Sequence, residues 1–82
     1  MSESKTPLAE RIARVLAGAA LSSNAEGTDP SAGDRVDAAW PDYMNHALAV
    51  LHTMREADER MAAAGDGETW RKMVEAAIEQ AE

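Results

Sequence analysis

Residues 40–67 read WPDYMNHALAVLHTMREADERMAAAGDG. Pro41 has no backbone N–H to lose and suits the first position of a helix. At about 100° per residue, Ala47, Leu48 and Leu51 stay within about 60° of Met44, and Tyr43, Val50 and Met54 widen that apolar face. Asn45, His46, His52, Thr53 and Glu56 fall on the opposite side. A straight continuation would put Arg55 and Asp58 in the middle of the apolar stripe, and Asp58 is a good N-cap residue. The stretch therefore predicts a helix over 41–56, a break near Ala57-Asp58 and a short helical segment over 58–64 carrying Met61. The alternative is one long helix to Ala64, driven by alanine propensity. Gly65-Asp66-Gly67 is a stop and a turn.

Working outward, a helix over 67–80 follows. Trp70, Met73, Val74, Ala77, Ile78 and Ala81 share one face, and Arg71, Lys72, Glu75 and Glu79 the other. Arg71 and Glu75 can pair at i,i+4. Toward the N-terminus a helix is expected over 6–21, with Thr6 as cap and Pro7 at the first position. Its stripe is Leu8, Ile12, Val15, Leu16 and Ala19, and Glu10 can pair with Arg14. Gly18 weakens this helix by about 1 kcal/mol relative to Ala. It reads either as tolerance near a helix end or as a point of close helix approach. Residues 22–38 (SSNAEGTDPSAGDRVDA) carry no apolar period and read as a mobile linker. Residues 1–5 (MSESK) read as a frayed N-terminus. No stretch alternates with period two, so no strand is expected. The expectation is one all-α domain over residues 1–82: a small three-helix unit with a short additional helical segment and a long loop after the first helix.

The chain has 82 residues, no Cys, and 15 acidic against 8 basic side chains, for a net charge of −7. Hydrophobic residues are 45% of the total, but 18 of them are Ala, leaving 19 larger ones and no Phe. This composition excludes a disulfide mini-protein, a thiolate metal site, a membrane-spanning protein and an ordinary basic nucleic-acid binder. No signal-peptide core follows Met1, so a cytoplasmic location is expected. A core this thin suggests help from a second subunit.

The candidate chemistry is sparse. His46 and His52 are six residues apart, which does not suit a metal pair on a helix. Asp42 with His46, and His52 with Glu56, supply two ligands each where a site needs three or four. Solvated histidines are the expectation. Asp29, Asp34 and Asp37 do not match a calcium loop. No serine sits in a nucleophile elbow, and no Gly-rich phosphate loop is present. No catalytic residue, cofactor or metal ligand is assigned, and the chain is read as a non-enzyme. Residues 1–21 hold three bases and two acids, whereas residues 22–82 hold five bases and thirteen acids. That is the wrong sign for phosphate, so no direct nucleic-acid binding is expected.

The stretch Ala47-x-Ala49-Val50-Leu51-x-x-Met54-Arg55-Glu56, then Met61-x-x-Ala64-Gly65, then Trp70-Arg71-x-Met73-Val74-x-Ala76-Ala77-Ile78 resembles small uncharacterised proteins of phages and prophage-like regions of proteobacteria. Glu10-Arg11-Ile12-Ala13-Arg14 and Asp29-Pro30 fit as well. Such proteins often place Pro-Thr or Pro-Ser after the Arg-Glu pair, where this chain has Ala57-Asp58. The resemblance implies a viral accessory protein and brings no mechanism. The functional expectation is a small acidic, non-catalytic protein–protein interaction module with an unknown protein partner. The alternative is an acidic inhibitor or DNA mimic that blocks a nucleic-acid-binding protein. Trp70, Met73, Val74, Ala77 and Ile78 are the expected interaction face, and a homodimer is the expected assembly.

Overall fold

The computed structural model describes residues 3–25 and 32–82, and every regular element among them is a helix, with no strand. The elements are α1 (Leu8–Ala25), α2 (Ala32–Ala39), a 3₁₀ turn (Trp40–Tyr43), α3 (Met44–Met54), α4 (Glu59–Ala64) and α5 (Gly67–Ala81). The all-α expectation holds. None of the described helices is long and apolar enough to cross a membrane.

Helix α1 is central and touches α2, the 3₁₀ turn, α3 and α5. Its buried stripe is Ala9, Ala13 and Ala17, at i,i+4 spacing and at most 1% exposed. Small side chains there let the neighbouring helices approach closely. The expected stripe was rotated from this one. Leu8, Ile12 and Leu16 flank the alanines, whereas Val15 is 70% exposed and Ala19 also faces solvent. The rest of the core is Ala47 and Leu51 from α3 with Val74 and Ile78 from α5. The three aromatics, Trp40, Tyr43 and Trp70, are half-buried.

Helix α1 begins at Leu8, with the Pro7 carbonyl accepting from the Arg11 N–H at 3.1 Å. Pro7 is therefore one residue ahead of its expected position, and Thr6 instead shares a small turn with the Ser4 hydroxyl. The Glu10–Arg14 pair forms at 2.9 Å and the Arg71–Glu75 pair at 3.7 Å.

The linker is where sequence and structure differ most. Helix α1 runs on to Ala25, and residues 32–39 form α2; the middle of the predicted mobile linker, 26–31, and the first two residues of the predicted frayed terminus lie outside the described residues. An eight-residue helix is not stable alone in water, so α2 depends on what it touches. Arg14 of α1 donates to the Asp37 carboxylate at 2.6 Å and lies over the Trp40 ring, 5.3 Å from its centroid. Val36 packs over Gly18. Pro41 then sits in a 3₁₀ turn rather than an α-helix, and the Met44 N–H bonds back to its carbonyl. The expected helix over 41–56 is thus a tight turn followed by α3.

Gly18 lies well inside α1, and a Cβ there would meet Val36 Cγ2 at 3.8 Å, an ordinary contact. Neither a helix end nor close approach requires the glycine. Gly18→Ala is expected to stabilise the protein by about 1 kcal/mol through lower chain entropy in the unfolded state. A thermal melt checks this, and a lowered midpoint would show that α2 needs the empty space.

Candidate interaction face

The break after α3 forms as the charges dictate. Helix α3 ends at Met54, and Asp58 caps α4 by accepting from the Met61 N–H at 2.9 Å. All six residues of α4 are exposed, Met61 among them at 42%. Two residues later Asp66 caps α5. Its carboxylate accepts from the Glu68 N–H at 3.0 Å and from the Thr69 hydroxyl at 2.9 Å. The Thr69 hydrogen bond, then the Glu68 amide, hold the Asp66 carboxyl below its ordinary range. Such a group supports the fold above its unfolded pKa of about 3.9, and the support fades as pH falls through the lowered folded value. Asp66→Asn keeps a capping oxygen that does not titrate. The stability difference between wild type and variant is therefore expected to be constant above pH ~4 and to shrink below it. Melts from neutral pH to pH ~2 that fall in parallel would refute a titrating cap.

Trp70 sits one turn into α5. Its indole N–H donates to the Met54 carbonyl at 2.6 Å. That carbonyl belongs to the last turn of α3, where no intrahelical donor exists. One side chain thus closes the end of α3 and orients α5 against it.

The five residues expected to form one face of the last helix separate in the fold. Val74 and Ile78, 3% and 5% exposed, turn into the core. Trp70 and Ala77 are half-buried at its edge, and Met73 is 65% exposed. Met73 stands between two shallow grooves. One, between α4 and α5, is lined by Ala57, Met61, Gly65, Asp66, Gly67, Thr69 and Trp70. The other, between α5 and α1, is lined by Leu8, Trp70, Val74, Ala76, Ala77 and Gln80. Leu8 continues into a third, largely apolar groove, lined also by Arg11, Ile12, Val15, Leu16 and Val50. Leu8, Ala57 and Met61 thereby join a face that periodicity within one helix could not assign to them.

The polar candidates are placed elsewhere. His46 is exposed with its ring 6.0 Å from that of Tyr43. His52 is exposed near Arg55, Glu75, Glu79 and Glu82. Asp29 lies outside the described residues, and Asp37 is engaged by Arg14. Among the described residues no group of three or more His, Asp or Glu is arranged to hold a metal ion. No family model matches this chain, and no curated protein or solved structure is significantly similar to it.

Proposed function

We propose that this chain is a small, non-catalytic protein–protein interaction module of the phage accessory type, acting in the cytoplasm without direct nucleic-acid binding. The observation that carries the reading is Met73: a large apolar side chain, 65% exposed, standing between two apolar grooves. Solvent-exposed methionine gives an adaptable contact surface, and apolar ground of this kind marks interaction sites. Trp70, half-buried and lining both grooves, supplies the rigid aromatic wall that interface anchors use.

A second reading, the acidic inhibitor of a nucleic-acid-binding protein, is favoured by Glu75, Glu79 and Glu82, which line one groove near the C-terminus of α5 together with Arg55 and His52. The two readings differ in salt dependence. The test is capture from a proteobacterial host lysate on immobilised wild type and Met73→Asp, at low and at ~1 M salt, where charges are screened within about 3 Å. Apolar docking predicts a partner that survives high salt and is lost with Met73→Asp. A partner lost at high salt and indifferent to Met73 would replace this reading with the acidic one.

A further inference from the structure

We infer that α2 and the 3₁₀ turn, residues 32–43, form a strap that lifts off α1 as one unit while the rest of the fold stays closed, and that Arg14 is its latch. The core lies elsewhere. Its buried cluster and the apolar side chains packed against that cluster come from α1, α3 and α5, and none of the described residues of 32–43 is among them. Helix α2 makes its main contacts with α1 and with the 3₁₀ turn. Among the described side chains of the strap none is buried, and Val36, Ala39, Trp40 and Tyr43 are half-buried.

Two residues one turn apart mark the seat of the strap on α1. Arg14 donates to Asp37 and lies over the Trp40 ring, and Gly18 lies under Val36. The core contacts of α1 include Ala9 and Ile12, which at about 100° per residue stand about 140° and 160° round the helix from Arg14. Strap and core thus use nearly opposite sides of α1, and lifting the one leaves the other packed. The latch is built to outlast the opening. Arg14 holds Glu10 of its own helix through Nε at 2.9 Å and Asp37 through Nη1 at 2.6 Å, so the guanidinium keeps its place when Asp37 leaves. An exposed ion pair and an exposed ring contact each contribute little, and eight residues do not hold a helix alone. Segments with few buried apolar contacts open at far less cost than the whole molecule. Opening uncovers Gly18 and returns the free edge of Arg14, a planar fork suited to paired oxygen atoms, to solvent.

Native-state amide exchange of the full chain, followed by NMR at rising sub-denaturing urea, tests this. The protected amides within 36–43 are expected to share one opening equilibrium and to exchange at least ~10-fold faster than those of Leu51, Val74 and Ile78. Their urea dependence should be weaker, because lifting the strap exposes less surface than global unfolding. Asp37→Asn leaves the Glu10–Arg14 pair intact. It should speed exchange in the strap by about two- to fivefold and leave α3 and α5 unchanged. Strap amides as protected as those of α5, with the same urea dependence, overturn the strap. So does protection that is absent, or graded residue by residue without urea dependence, which is fraying. An Asp37→Asn effect that is missing, or spread over every helix, overturns the latch.

Discussion

Ile78→Asp is expected to abolish cooperative unfolding at neutral pH. Ile78 is 5% exposed and belongs to a core cluster with Ala9, Leu51 and Val74. Ile78 also lines a groove with Arg55 and His52, but the cluster it packs into is apolar, and burial of a charge there costs several kcal/mol. A chain of this length has a total stability on the order of 4–12 kcal/mol, and the few large buried side chains place this one toward the low end. The burial also raises the new carboxyl's pKa in the folded state, so the penalty is largest at neutral pH and is relieved as pH falls toward the raised value. Ile78→Val, as a control, should cost about 0.5–1.5 kcal/mol. Thermal melts followed by circular dichroism give the answer: a sigmoidal melt for Ile78→Asp near that of the wild type would show that Ile78 is not in the core.

The second large effect is expected at Trp70. Trp70→Ala should destabilise by about 3 kcal/mol, the lower end for aromatic truncation because the ring is half-buried. Two losses combine: the contacts that lock α5 to the cluster, and the indole N–H that closes the end of α3 at the Met54 carbonyl. Trp70→Phe separates them. It keeps most of the ring and loses the hydrogen bond, for about 1 kcal/mol. Urea unfolding is therefore expected to rank wild type above Trp70→Phe and Trp70→Ala last. Equal losses in the two variants would assign the whole effect to the hydrogen bond; no loss in either would make Trp70 a surface ornament. Because Trp70 lines both grooves beside Met73, Trp70→Ala should weaken docking at that face as well.

Much of the fold was legible because local chemistry decided it. Arg55 and Asp58 interrupt the apolar stripe, which favoured a break over one long helix to Ala64, and Asp58 does cap α4. Gly65-Asp66-Gly67 had to turn, and α5 follows over Gly67–Ala81. The i,i+4 pairs Glu10–Arg14 and Arg71–Glu75 needed only helical spacing and are present. Each of these is a contest between neighbours within one or two turns, and the winning term is written in the residues themselves.

The remainder was decided between segments far apart in the chain. Residues 32–39 are poor helix material, yet they form α2 packed along α1, with Val36 over Gly18 and Asp37 paired to Arg14 some twenty residues away. The stripe of Ala9, Ala13 and Ala17 outcompetes Val15 for the core of α1 because close packing rewards a small surface that lets four elements approach, not hydrophobicity alone. The candidate face shows the same division. Periodicity placed Trp70, Met73, Val74, Ala77 and Ile78 together on α5, since side chains three and four apart share a helix face. Which of them turn inward depends on where α1 and α3 lie, and that is a property of the packed molecule. Val74 and Ile78 meet those helices and are consumed by the core, while Met73, a fraction of a turn away, is left to solvent beside Met61 and Leu8.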